Sequence, residues 1–220
     1  MHFLNIYVES LESLGAIHTA REISQQPEVW LKVWDIIDQH SGPLTTFIDQ
    51  SKYQKVILTG AGTSAYIGES LVGTYHRHHT RNVAAVPTTN LVSHPYDYFS
   101  KDESILLISF ARSGNSPESK AAVKLADEIS QSCDHLIITC NPEGDLAAHE
   151  TKGKKYVLAL PRETNDKSLA MTSSYTGMLL AGLLIARMDE LAKLKDQVVL
   201  ASQYGRNILD NYVDSLKEIA

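Results

Sequence analysis

Twice in this chain a short apolar run ends in a hydroxyl-rich turn and restarts as a helix. No other feature restricts the fold as much. Val56-Ile57-Leu58-Thr59 passes into Gly60-Ala61-Gly62-Thr63-Ser64. Ile105-Leu106-Leu107-Ile108-Ser109 passes into Arg112-Ser113-Gly114-Asn115-Ser116, with Pro117 next. Proline suits the first helical position, and serine before it suits the N-cap. Three more apolar runs, 83–86, 135–139 and 156–160, complete a set of five predicted strands. Helical patterns at 65–78, 116–130 and 145–150 separate them. Strands with almost no polar residues, alternating with helices, form a parallel sheet covered on both faces. The expected class is therefore α/β: a five-stranded parallel sheet, doubly wound and flavodoxin-like. Ligands of such sheets sit outside the C-terminal strand ends, where the strand order reverses. The turns at 60–64, 112–116 and 141–144 all fall at such ends.

The flanks read as helical. Leu4, Ile6, Tyr7, Leu11, Leu14 and Ile17 predict an amphipathic first helix. Pro27 opens a second, with Val29, Trp30, Val33, Trp34, Ile36 and Ile37 at helical spacing, and Ser41-Gly42-Pro43 ends it. A short helix over 44–50 follows. A long apolar helix is expected over 171–188, and an amphipathic one over 195–219. This divides the chain into an N-terminal helical extension (1–50), an α/β domain (51–192) and a C-terminal helix (193–220).

With 220 residues, 43% of them apolar, the chain can bury one substantial core. Its net charge of −6 excludes nonspecific binding to nucleic acid or an anionic membrane, which needs a basic face. A small anion needs only local donors. The two cysteines, Cys133 and Cys140, build no disulfide framework, and a reducing cytoplasm is expected. The N-terminus is interrupted by Glu9 and Glu12 and makes a poor secretory signal. The apolar run over 178–186 is too short to span a bilayer.

A helix N-terminus attracts anions, because its first N–H groups lack partners and its dipole end is positive. Gly62, Thr63 and Ser64 in the first turn, and Arg112, Ser113, Asn115 and Ser116 in the second, are candidate phosphate-binding residues. Each turn taken singly also reads as a plain helix cap. The spacing fits neither a dinucleotide fingerprint nor a P-loop, since the third glycine falls at Gly68 and no Gly-Lys-Ser/Thr is present. A third cluster, Thr172-Ser173-Ser174, opens the long apolar helix. Thr172 or Ser173 is a candidate to complete the site.

The series GAGTS, ISFARSGNSPES, ITCNPEGDLA and then a hydroxyl cluster resembles the sugar isomerase (SIS) domain. The nearer resemblance is to the tagatose-6-phosphate ketose/aldose isomerase type, also described as galactosamine-6-phosphate deaminase/isomerase. It rests on Thr19-Ala20-Arg21-Glu22-Ile23 with Gln26-Pro27, on Val86-Pro87-Thr88-Thr89, on Arg112 to Ser119 and on Ala170 to Ser174. Where many relatives carry Ser-Gln-Ser-Gly-Glu-Thr, this chain has Ala111-Arg112-Ser113-Gly114-Asn115-Ser116. The resemblance implies a phosphosugar ligand held by Ser64, Ser113 and Ser116, with Thr172 or Ser173 near the sugar. It implies aldose–ketose isomerisation of a hexose 6-phosphate, or deamination of an amino-sugar phosphate, with no metal and no redox cofactor. It also implies a second SIS domain beyond the C-terminal helix, and a homodimer or higher oligomer. The alternative is a noncatalytic phosphosugar sensor acting through a protein partner. A nucleotide-binding flavodoxin-like domain is a third option, disfavoured by the glycine spacing.

Family catalysis needs a carboxylate to shuttle a proton. Here Glu69 reads as a solvated helix residue, and Glu163 and Asp166 as solvated loop residues. His76, His78 and His79 read as surface residues at a helix C-terminus, where positive charge is favoured. His94 lies in a loop.

Overall fold

The computed structural model describes residues 1–80 and 82–219. A hairpin, β1 (His2–Phe3) and β2 (Ile6–Tyr7), opens the chain, followed by α1 (Val8–Ser13) and the 34-residue helix α2 (Ile17–Gln50). The sheet strands are β3 (Lys55–Gly60), β4 (Val83–Ala85), β5 (Ser104–Ala111), β6 (Ser132–Thr139) and β7 (Lys155–Ala159). Between them run α3 (Ala65–His78), α4 (Thr88–Ser93), α5 (Pro117–Ile129) and α6 (Asp145–Ala148). The chain continues through α7 (Ser173–Ala186), α8 (Leu191–Asn211) and α9 (Val213–Ile219).

All pairings in the sheet are parallel, in the order β4-β3-β5-β6-β7. Counted within the sheet this is 2-1-3-4-5, the expected flavodoxin-like layout. Successive side chains of a strand point to opposite faces. Val56 and Leu58, Leu106 and Ile108, and Leu136 and Ile138 therefore pack one way, against α2, α3, α7 and α8. Ile57, Ile105, Leu107 and Ile137 pack the other way, against α4, α5 and α6. The chain leaves β3 through α3 on one face and leaves β5 through α5 on the other. Since β3 and β5 are neighbours, with Gly60 beside Phe110, their following turns diverge and leave a crevice between them.

Three expectations are corrected. Residues 4–17 form no single helix. Leu4 and Asn5 have φ of 52° and 55°, the backbone of a tight hairpin turn, and α1 follows only after it. The break at residues 41–43 is also absent, and α2 runs through both Pro27 and Pro43. An interior proline costs roughly 3 kcal/mol. Val29, Val33, Trp34, Ile37, Leu44 and Phe47 are buried along this helix, at about 1.5–3 kcal/mol each, so packing outweighs propensity. Pro27 has no N–H to give the Ile23 carbonyl, and the Gln26 amide donates there instead, at 3.4 Å. The expected helix over 195–219 is also two helices, α8 and α9, separated at Tyr212.

Candidate active site

At the crevice between the β3 and β5 turns lies a cavity of about 100 Å³, lined by Ala61, Ser64, Arg112, Ser113, Ser116 and Ser119 among others. Each turn is shaped by a close backbone approach. A Cβ on Gly60 would lie 2.6 Å from the Ser64 carbonyl carbon, so only glycine lets the first turn fold over itself. A Cβ on Gly144 would lie 2.4 Å from the Ser113 carbonyl oxygen. The loop after β6 thus presses directly on the second turn, which bends at Gly114 with a φ of +70°. Three hydrogen bonds lock that contact. The Asn141 amide donates to the Ser113 carbonyl (3.0 Å), the Leu146 N–H to the Gly114 carbonyl (2.9 Å) and the Asp145 N–H to the Asn115 carboxamide (3.1 Å).

Four hydroxyls face the cavity: Ser64, Ser113, Ser116 and Ser119. The Ser64 hydroxyl has only the thioether of Met171, at 3.9 Å. The Ser113 hydroxyl accepts from the Asn115 N–H at 3.3 Å and keeps its own proton free. Ser116 occupies the N-cap of α5, and Pro117 follows at its first turn. The Ser116 side chain makes no capping bond, so its hydroxyl also remains available.

The other predicted residues sit elsewhere. Gly62 and Thr63 are exposed beyond the cavity lining. Asn115 braces the loop after β6. Thr172 lies at the N-cap of α7. Ser173 is fully buried and turned towards α2: its hydroxyl donates to the Glu22 carbonyl (2.8 Å) and accepts from the Gln25 amide (2.9 Å). Arg112 lines the cavity, but its guanidinium donates to the Ser168 and Leu169 carbonyls, at 2.8 and 3.3 Å.

Asp166 is no solvated loop residue. It is 6% exposed and caps α7 from outside the helix. Its carboxylate accepts from the Thr172 N–H (2.8 Å), the Ser174 N–H (2.8 Å) and the Ser174 hydroxyl (2.6 Å). The segment 167–171 is held by a second buried carboxylate, Glu22, which accepts from the Lys167 and Ser168 N–H groups at 2.6 and 3.2 Å. Glu163 is ion-paired with Lys32, and that hydrogen bond above all holds its carboxyl below the ordinary value. Glu69 and His94 are exposed. His79 is not the surface residue expected. Its ring stacks on Tyr75 at 5.1 Å, and burial, with the neighbouring His78 charge, pushes its pKa down.

Ser119 and Met171 went unselected in the sequence. For Ser119 a signal existed: three residues after Ser116, it lies on the same side of α5. Met171 had none, because only tertiary contact brings it to Ser64. Among the described residues, no helix is long and apolar enough to cross a membrane.

The SIS domain family model matches residues 49–188. The D-galactosamine-6-phosphate deaminase AgaS of Shewanella sp. (strain ANA-3) is 49% identical over 191 residues, which are 83% of this chain and 49% of that protein. The solved structure of a candidate tagatose-6-phosphate ketose/aldose isomerase from Clostridium novyi NT superposes with a TM-score of 0.94 at 42% identity, over 100% of this chain and 57% of that one. Tagatose-6-phosphate ketose/aldose isomerase from Escherichia coli gives 0.75 at 36%, over 94% and 55%. The chain spans about half the length of the curated relatives it matches. A parallel 2-1-3-4-5 sheet, a hydroxyl-lined crevice at its switch point and these likenesses agree: the chain belongs to the SIS domain family.

Proposed function

We propose that this chain is the phosphosugar-binding SIS unit of a galactosamine-6-phosphate deaminase or tagatose-6-phosphate ketose/aldose isomerase. The 6-phosphate would occupy the cavity at Ser64, Ser113, Ser116 and Ser119, taking hydroxyl protons and the free N–H groups that open α5. The carrying observation is that cavity. Its 100 Å³ equals about three water volumes, the scale of one phosphate group, and its walls offer uncommitted donors. Gly62, Thr63, Asn115 and Thr172 belong to the rim and support of this site. Ser173 anchors the start of α7 against α2. The domain division follows the same reading, with 51–192 as the binding unit, 1–50 packed beside it and 193–220 leading towards a second unit.

Neither of the buried carboxylates near the site is free to move a proton, because Glu22 and Asp166 are both committed to backbone N–H groups. Enediol chemistry would therefore draw its base from a second SIS unit or a partner copy in a homo-oligomer. The same observation favours a second reading, a phosphosugar sensor that turns nothing over. A reducing cytoplasm suits the two free, buried thiols.

Calorimetric titration with galactosamine 6-phosphate, tagatose 6-phosphate and inorganic phosphate tests the binding step. Saturable binding of a sugar phosphate, tighter than phosphate alone, is expected. Absence of any sugar-phosphate binding would overturn both readings. Ammonia release from galactosamine 6-phosphate then separates the enzyme from the sensor.

A further inference from the structure

We propose that Glu22 is a positioning residue for the phosphate cavity and acts on it through Arg112, an inference that rests on the phosphosugar reading above. Thr19 and Glu22, and Glu22 and Gln25, are three residues apart and so neighbours on the surface of α2. All three meet the stretch from Glu163 to Ser173. The Thr19 and Ser168 hydroxyls share a 2.7 Å hydrogen bond. The Glu22 carboxylate accepts from the Lys167 N–H at 2.6 Å and from the Ser168 N–H at 3.2 and 3.3 Å to its two oxygens. The Gln25 amide donates to the Glu163 carbonyl (2.8 Å) and the Ser173 hydroxyl (2.9 Å). Glu22 is 6% exposed, and a buried carboxylate is costly unless hydrogen bonds satisfy it. Here main-chain N–H groups of that stretch satisfy it, so carboxylate and stretch fix each other.

Ser168 is the link. Its N–H and its hydroxyl are held from α2, and its carbonyl accepts from Arg112 Nη1 at 2.8 Å. The same nitrogen donates to the Leu169 carbonyl at 3.3 Å. Among the described residues, Arg112 Nε and Nη2 donate to no protein group, so the N–H donors on those two nitrogens remain uncommitted. Arg112 lines the cavity beside Ser64, Ser113 and Ser116, whereas Glu22 does not. A guanidinium pairs well with a phosphate through two parallel N–H bonds. A long side chain already held in one place loses less freedom when the ligand arrives. Glu22 thus sets affinity without touching the ligand: it holds Ser168, and Ser168 holds Arg112.

The test is a double-mutant cycle on the full chain, read by calorimetric titration with galactosamine 6-phosphate and tagatose 6-phosphate. Glu22→Ala should weaken sugar-phosphate binding about tenfold. In an Arg112→Ala background the same change should cost less than about twofold, because the residue it acts through is gone. A purely structural role for Glu22 gives the same loss in both backgrounds. Glu22→Gln keeps one acceptor oxygen for the Lys167 N–H and should lose only about threefold. It carries the same cycle should Glu22→Ala fail to fold. Equal losses with and without Arg112, or unchanged affinity in the Glu22 variants, would overturn the positioning role and leave the phosphosugar reading standing. An unmodified chain that binds neither sugar phosphate overturns both.

Discussion

The Arg112 guanidinium donates to the Ser168 main-chain carbonyl at 2.8 Å. The turn after β5 is thereby tied to the segment that leads into α7. Leu169, at the crest of that segment, is 92% exposed, so apolar packing does not hold it down. The guanidinium, Glu22 and Asp166 do.

Arg112→Ala should remove that tie and one cation from the cavity. Charge-assisted hydrogen bonds contribute roughly 1.5–3 kcal/mol, so sugar-phosphate affinity should fall about 10- to 100-fold in calorimetry. The melting temperature should change little, because the side chain is partly solvated. Unchanged affinity would show that the clamp has no part in binding.

Asp166→Asn keeps the shape of the α7 cap but replaces one acceptor oxygen with an NH₂ group. That donor would face N–H and O–H groups that are themselves donors. A loss of about 2–4 kcal/mol is expected in urea unfolding. Asp166→Glu, which keeps the charge, should not restore it, because the extra methylene displaces a buried carboxylate.

Gly144→Ala would put a methyl group 2.4 Å from the Ser113 carbonyl oxygen. The turn at 112–116 must move to admit it. Ligand affinity should drop at least tenfold, with a stability loss of about 1–3 kcal/mol. Retention of both values would mean that the two loops do not press on each other as described.

His79 sets an acid limit. Burial lowers its pKa from the ordinary 6.5, and the neighbouring His78 charge adds to this. The Ile185 and Ala186 carbonyls and Asp189 offset the shift in part. Because the folded value is the lower one, the unfolded chain binds this proton more readily. His79 therefore contributes its full stability above about pH 6.5 and loses it as pH falls through the folded value. Melting temperature should decline below that pH, and His79→Gln should flatten this part of the decline. An identical pH profile in the variant would remove His79 as a cause.

Much of this fold can be read residue by residue. Val56-Ile57-Leu58 and Ile105-Leu106-Leu107-Ile108 have no polar member, and only a sheet covered on both faces buries such runs. Three of the four hydroxyls that face the cavity, Ser64, Ser113 and Ser116, come from turns that already stood out locally. Other features were hidden for definite reasons. Pro27 is a local start signal and Pro43 a local stop signal, and only the apolar contacts along α2 override them. Asp166 looked like a loop acid because its partners, the N–H groups of Thr172 and Ser174, become unsatisfied only once α7 exists.

The sequence by itself therefore determined the strand–helix alternation, the ends of the strands and the hydroxyls that gather there, because apolar periodicity and turn chemistry act over a few residues. The tertiary structure decided which of those hydroxyls face the crevice. Ser64, Ser113, Ser116 and Ser119 do, whereas Ser173 turns to Glu22 and Gln25 on α2. It also decided that Arg112 reaches the Ser168 carbonyl. Those outcomes depend on contacts between residues about 50 to 150 positions apart, where burial and hydrogen-bond satisfaction outweigh any local preference.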